Sequence, residues 1–294
     1  MSVRKMCDFA YAAPGSVSEV LELLEGGSAM VMAGGTDLIP KMKGGVVKPN
    51  MVVSLRNVEE LRTCSYSNHG LYFGAGVSIH DLERYAPVKT HYRALYEAVT
   101  SIASVQIRNS GTVVGNICNA VPSADSAPAL LCYGAKLHVA SKAGRRVVPI
   151  EEFFVGVCKT VLKSDELVLG IEIGQQSTAS ASCYLAHTQR RALDLAMVGV
   201  ACKLELEDGV CREVKIALGA VAATPKLAAG AQEVLLGKAP SDEVIELAAK
   251  TAGQADCAPI TDMRATEKYR RDMVEVLTKN TLLQVRAVLS GAAV

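Results

Sequence analysis

The sequence predicts an α+β chain, with two small α/β lobes followed by a separate domain of antiparallel sheet and helices. Three observations carry this. Within residues 1–57 a short apolar strand runs into Gly34-Gly35 and then a helix. In residues 58–176 short strands and helices surround a low-charge stretch, 110–135, rich in Gly, Asn, Ser and Pro. Beyond a Gln/Ser/Thr linker at 174–182, a hairpin signal and helical patterns fill residues 180–294.

The elements follow in order. Ser16-Val17-Ser18-Glu19 is a capping box, apolar Val20, Leu21, Leu23 and Leu24 follow, and Gly26 is the stop. Ala29–Met32 reads as a strand, Leu38–Lys43 as a helix and 51–55 as a strand. In the second lobe 71–76 is strand-like, Ser78-Ile79-His80-Asp81 opens a short helix, and 93–104 is a longer amphipathic one. Lys136–Ser141 and 145–150 flank Gly144 as a hairpin, and 166–173 closes the lobe as a strand. In the last third, 198–205 and 211–220 flank the turn dipeptide Asp208-Gly209. Thr224-Pro225 caps a helix to 236, Ser241-Asp242 caps another to 252, and 265–289 is a long terminal helix.

Composition narrows the function classes. The 294 residues carry 31 Lys+Arg against 30 Asp+Glu, a net charge of +1, and half of them are hydrophobic. That is globular, with none of the basic excess of a nucleic-acid surface and no apolar run long enough to span a bilayer. The N-terminus has Arg4, Lys5 and Asp8 but no apolar core, so it does not read as a signal peptide. The nine cysteines are never closer than nine residues (202 to 211), so no C-x-x-C pair exists for zinc, iron–sulfur or thioredoxin chemistry. They read as buried, reduced thiols of a cytoplasmic protein. His69, His80, His91, His138 and His187 show no metal-ligand spacing and read as surface or structural groups. Redox work by this chain would need a non-covalent organic cofactor or a partner chain.

Two glycine-bearing segments hold the chemistry. In Val31-Met32-Ala33-Gly34-Gly35-Thr36-Asp37-Leu38 a strand meets a helix through paired glycines. Unpartnered amides at such a helix start favour an anion, and glycine lets it come close. Asp37 suits a helix cap better than a phosphate contact, and the plainer reading is an ordinary strand–turn–helix. The second segment is Gln106-Ile107-Arg108-Asn109-Ser110-Gly111-Thr112-Val113-Val114-Gly115-Asn116-Ile117-Cys118-Asn119, continuing to Asp125. Its hydroxyls, amides and glycines suit a pyrophosphate and a polyol chain, with Asp125 accepting hydrogen bonds. The alternative is a buried loop held by Asn-to-backbone bonds. Neither segment is G-x-G-x-x-G or a P-loop, and 74–79 begins like the former but ends in Ile79. Two such segments in two lobes suggest an extended dinucleotide in the cleft between them.

Together these segments resemble the two flavin signatures of the FAD subunits of molybdenum hydroxylases, the xanthine dehydrogenase family. Gly219-Ala220-Val221-Ala222-Ala223-Thr224-Pro225 and Arg264-Ala265-Thr266-Glu267-Lys268-Tyr269-Arg270-Arg271 also fit, so the resemblance runs the length of the chain. It implies a two-lobed PCMH-type FAD-binding domain and a C-terminal α+β domain of the CO dehydrogenase flavoprotein type. It further implies FAD on this chain, a molybdopterin subunit and a [2Fe–2S] subunit as partners, NAD as acceptor, and a dimer of heterotrimers. No catalytic or metal-ligating residue is implied here. Met30, Val31, Met32, Ala33, Gly34, Gly35, Thr36 and Asp37, with Thr112, Val113, Val114, Gly115 and Asn116, would cradle the diphosphate through main-chain amides and the Thr112 hydroxyl. Asn119 and Asp125 would hold the ribityl–adenosine part. Ile102 would pack on flavin or adenine, and Val168 would touch the adenine or the ring edge.

Two departures stand out. Val114 replaces a usual Gly, and Ala186 occupies the place of a Lys that would lie near the flavin and stabilise negative charge. His187, Arg190 and Arg191 are the available substitutes, and an acceptor other than NAD stays open. Arg190-Arg191 reads first as a solvated turn, with a nucleotide-facing patch as the alternative. Arg270 and Arg271 read as structural ion-pair formers, and Met273, Val274, Leu277, Leu282 and Val285 as core or subunit interface. Two other functions stay open: a scaffold subunit that has lost FAD, which Val114 and Ala186 would favour, and a stand-alone flavoprotein oxidase, which lacks an acid–base cluster.

Overall fold

The computed structural model describes residues 6–190 and 193–291. Strands β1 (Ala10–Ala12), β2 (Ala29–Met32) and β3 (Met51–Ser54) form a parallel sheet in the order β1-β3-β2. Parallel neighbours need crossovers. The crossover from β1 to β2 is the helix Val17–Leu24, whose start Ser16 caps by accepting from the Glu19 amide at 3.3 Å. The crossover from β2 to β3 is the helix Leu38–Lys43.

In the second lobe β4 (Cys64–Ser67), β5 (Gly70–Gly74), β6 (Lys136–Ser141), β7 (Gly144–Pro149) and β10 (Leu167–Ile173) make an antiparallel sheet in the order β4-β5-β10-β6-β7. A small hairpin, β8 (Phe154–Gly156) and β9 (Lys159–Thr160), precedes the last of them. β1 and β4 have no counterpart in the sequence reading, because both are short, half-exposed strands with little apolar signal. The helix expected over 93–104 ends at Ser101, since Ala103 turns left-handed with φ +47°. The low-charge stretch is largely helical: Val105–Ser110, Val113–Asn119 and Ser126–Cys132.

The remaining strands, β11 (Ser180–His187), β12 (Val198–Glu207), β13 (Val210–Gly219) and β14 (Lys226–Leu227), form an antiparallel sheet in that order. Asp208 and Gly209 both have positive φ, +51° and +80°, as their hairpin turn requires. Thr224-Pro225 does not start a helix. It leads into β14, and the helix begins later, at Ala229–Leu235. The segment 180–182, expected in the linker, is already strand. One face of the sheet carries the helices Ala229–Leu235, Asp242–Thr251 and Glu267–Leu289, around a core that includes Val200, Cys202, Ile245 and Val285.

The other face packs on the second lobe. Gly219 lets the helix Ser126–Cys132 lie directly on β13: a Cβ there would stand 2.8 Å from Pro128 Cγ. Gly199 likewise leaves room for the Tyr184 ring, which a Cβ would meet at 2.8 Å from the hydroxyl. Tyr184, Ala201 and Ala217 therefore belong to the same apolar core as Leu95, Leu130 and Leu131. This shared core fixes the seam between the second lobe and the sheet.

All nine cysteines are free. Cys132, Cys183, Cys202, Cys211 and Cys257 are buried as expected, but Cys158 is exposed, at a left-handed φ of +55° in the β8–β9 turn. No group of His, Cys, Asp and Glu among the described residues is arranged to hold a metal, and none of the described helices is long and apolar enough to cross a membrane.

Candidate functional site

The two glycine segments meet. Gly34 lies so close to the end of the helix Val105–Ser110 that a Cβ would stand 1.8 Å from the Ser110 carbonyl oxygen and 2.8 Å from the Gly111 nitrogen. Gly35 has φ +71°, a conformation glycine adopts without strain. A Cβ on Gly111 would in turn come within 3.3 Å of Thr36 Oγ1. The contact is fixed from behind by the Ile79 amide, which donates to the Gly111 carbonyl at 2.8 Å.

The main-chain amides of Gly34, Gly35, Thr36 and Asp37 have no acceptor among the described residues. The helix Val113–Asn119 starts at the same place, capped by Thr112, whose hydroxyl oxygen accepts from the Gly115 amide at 2.9 Å. That leaves the Thr112 hydroxyl proton free to donate. Two sets of amides thus converge where lobe one meets lobe two, an arrangement that attracts an anion. Asp37 occupies the N-cap position of Leu38–Lys43, but its backbone is helical (φ −103°, ψ −44°) and its carboxylate takes no amide of that helix. The capping role expected of it is not seen.

Two cavities adjoin this waist. The first, about 390 Å³, is lined by Val31, Met32, Ala33, Gly34, Gly35, Thr36 and Asp37, by Ile102, Thr112, Gly115, Asn116 and Asn119, and by Asp125. The second, about 360 Å³, takes Met30, Val114 and Val168 and shares Val31, Ala33, Gly115 and Asn119 with the first. Val113 and Ala186 line neither: Val113 is buried in the core, and Ala186 pairs with Gly199 inside the sheet. Two adjoining cavities that share Val31, Ala33, Leu38, Gly115 and Asn119, with the amides of residues 34–37 in the wall of the first, fit a two-headed ligand with an anionic bridge, which is the shape of a dinucleotide.

The side chains of this site are held from several elements. Ser126 donates to Asn116 Oδ1 at 2.7 Å. Lys41 donates to Asn119 Oδ1 and brings a positive charge to the waist. The Tyr184 hydroxyl, on the first strand of the C-terminal sheet, donates to Asp125 Oδ1 at 2.7 Å. Burial pushes the Asp125 carboxyl up to about 6, against the phenol hydrogen bond, which lowers it. The Tyr184 phenol is pushed well above its ordinary value, by burial first and by the nearby carboxylate second.

Sequence reasoning missed Lys41, Tyr184 and the far wall of the first cavity, Leu193, Asp194 and Leu195. Asp194 receives the Arg190 amide at 3.0 Å and ion-pairs with its guanidinium at 3.5 Å. Arg191 lies outside the described residues. His187, considered as a cationic substitute, instead shares a hydrogen bond of 2.9 Å with the Tyr269 hydroxyl. Arg270 and Arg271 are structural as expected, paired with Asp262 and Glu267 at 2.9 and 3.0 Å.

Comparison with known proteins agrees with this geometry. Residues 7–175 match the family model described as the FAD binding domain in molybdopterin dehydrogenase, and residues 184–285 match the CO dehydrogenase flavoprotein C-terminal domain. The chain is 31% identical over 290 residues to a putative xanthine dehydrogenase FAD-binding subunit of Escherichia coli K12, covering 97% of this chain and 99% of that one. It is also 31% identical to the carbon monoxide dehydrogenase medium chain of Hydrogenophaga pseudoflava, covering 93% and 96%. A solved structure of carbon monoxide dehydrogenase from the same organism superposes with a TM-score of 0.92 at 30% identity, over 96% of this chain and 99% of that one. Quinoline 2-oxidoreductase from Pseudomonas putida 86 gives 0.90 at 29%, over 98% and 99%.

The fold and site therefore define an FAD-binding oxidoreductase subunit. The chain belongs to the family of FAD-binding subunits of molybdenum hydroxylases, the xanthine and CO dehydrogenase type.

Proposed function

We propose that this chain holds one FAD across the waist between the two cavities and passes electrons from [2Fe–2S] clusters on a partner subunit to NAD or another acceptor. The observation that carries this is the pair of glycine segments in direct contact, with unpartnered amides facing one cleft. When bound, FAD accepts electrons singly and gives them up as a hydride. The chain's own work is to bind and orient it. The amides of residues 34–37 and the first turn of Val113–Asn119 hold the diphosphate, with Lys41 close by. The cavity at the domain seam, with Asp125, Ile102 and the exposed Leu193 and Leu195, takes the redox end. The cavity walled by Met30 and Val168 takes the adenine. Asp125 and Asn119 then face the hydroxyl chain.

The partners proposed are a molybdopterin subunit and a [2Fe–2S] subunit, in a dimer of heterotrimers. The relatives' names run from xanthine to carbon monoxide to nicotinate at 26–31% identity, so this subunit is read as serving the relay and not the choice of substrate. A cytoplasmic setting is supported by nine cysteines that form no disulfide. The domains are proposed at 1–57, 58–176 and 180–294, each with its own sheet. Val114, 3% exposed, belongs to the core cluster and also lines the second cavity, which stays open beside it at about 360 Å³.

The test is flavin retention. Gly35→Asp sets a carboxylate and a strained φ at the waist, and Asn116→Ala removes the partner of Ser126. Both are expected to lower the flavin-to-protein ratio of the purified protein. Full occupancy in both variants would overturn the assignment.

A further inference from the structure

A third cavity, of about 330 Å³, lies behind the cofactor cleft, where the connection 174–179 crosses from the second lobe to the C-terminal sheet. Its wall is cationic and rich in hydroxyls. Lys89, Arg93 and Lys203 line it with His91, Thr178 and Ser180. Arg93 and Lys203 are held by Glu97 and Glu213 at 2.8 and 2.9 Å, while among the described residues Lys89 has no carboxylate within 4.0 Å and its ammonium lies 5.7 Å from the Tyr96 ring centre. Lys203 is buried, 8% exposed, with its ammonium compensated by Glu213, so it stands as a fixed cation in the wall. Gln176, also in the wall, has its side-chain nitrogen donating to the Gly174 carbonyl at 2.7 Å. That fixes the amide's orientation and leaves Oε1 buried without a donor. Cations and hydroxyl donors beside an orphan acceptor call for a ligand that is anionic at one end and donates hydrogen bonds at the other.

The cavity is also wired to the cofactor cleft. Glu97 accepts from Arg93 with Oε1 at 2.8 Å and from the Tyr184 amide with Oε2 at 2.7 Å, and the Tyr184 hydroxyl donates to Asp125 at 2.7 Å. Three hydrogen bonds thus join a cavity cation to the carboxyl that lines the flavin end. We propose that this cavity binds a small phosphate monoester carrying hydroxyl groups, and that its occupancy is felt at the cofactor through Arg93, Glu97, Tyr184 and Asp125. The binding half stands without the cofactor reading; the coupling half rests on it.

The test uses the purified protein as it exists, with ribose 5-phosphate, inorganic phosphate and ribose as probes in isothermal titration at constant ionic strength. Ribose 5-phosphate is expected to saturate one site per chain in the millimolar range or tighter and ribose to show no binding. Lys203→Gln and the exposed Lys89→Ala should each weaken binding by about tenfold. The flavin spectrum should shift along the same isotherm, and Glu97→Gln should abolish the shift while binding persists. No saturable binding, or wild-type affinity in both lysine variants, overturns the site. Saturable binding with an unmoved flavin spectrum overturns the coupling. A protein that carries no flavin at all, yet binds ribose 5-phosphate, overturns the cofactor reading and leaves the site standing.

Discussion

Gly34→Ala tests the contact between the two glycine segments most sharply. The added methyl would stand 1.8 Å from the Ser110 carbonyl oxygen, and both neighbours are main chain, so no side chain can swing aside. Restoring a 3.0 Å contact requires the segments to part by about 1.2 Å. Overpacking of this kind costs about 1–3 kcal/mol of stability. Its effect on an anion at the waist is larger, because amides from the two segments can no longer reach the same bridge. Charge-assisted hydrogen bonds contribute about 1.5–3 kcal/mol each. Weakening one or two of them corresponds to about 2–3 kcal/mol, or a 30- to 150-fold loss of flavin affinity. The assay is equilibrium rebinding of FAD to the flavin-stripped protein, followed by flavin fluorescence. Gly26→Ala is the control, since a Cβ there meets nothing within 4 Å and φ is not positive. Wild-type affinity and thermal midpoint in Gly34→Ala would refute the reasoning.

Three further outcomes are expected. The Asp125 carboxyl is raised from 3.8 to about 6, so the fold favours its neutral form; that stabilisation is present below 3.8 and is lost as pH rises through 6. The thermal midpoint of flavin-free Asp125→Asn should therefore gain on wild type across this window and hold its lead above it. A constant difference at all pH values would contradict the assignment. Arg270→Met strands the Met197 and Ala220 carbonyls, now bonded at 2.7 and 3.2 Å, and leaves Asp262 with only its two main-chain donors, so it should cost about 2–4 kcal/mol in urea unfolding. A loss below about 1 kcal/mol would show that Arg270 is not the clamp it appears in the geometry. In native protein a thiol reagent should label Cys158 first, while Cys132, Cys183 and Cys202 react only on unfolding, since burial pushes their thiols up.

The parts of the fold legible in sequence are those set by local chemistry. Ala29–Met32 and Leu38–Lys43 are punctuated by glycines and match the observed bounds, and the Asp208-Gly209 turn shows the positive φ pair its residues favour. The break after Ser101 was not legible, because it depends on a left-handed alanine, and nothing in an alanine announces that. The same holds for Ala120, left-handed at φ +50°, which ends Val113–Asn119. Around the site, the glycine segments were legible because close backbone approach leaves a mark in composition. Lys41 and Tyr184 were not. Each acts on a residue 78 or 59 positions away, and only the tertiary fold brings the pairs together. The Ala186 departure rests on the resemblance; the structure pairs Ala186 with Gly199 and packs it, partly buried, against the core.

The most direct measurement is a crystal structure of the protein purified with its yellow cofactor. The account predicts one diphosphate whose oxygens lie within hydrogen-bond distance of amides from residues 34–37 and from the first turn of Val113–Asn119 at once. A diphosphate held by only one of these segments, or bound outside the cleft they share, would contradict it.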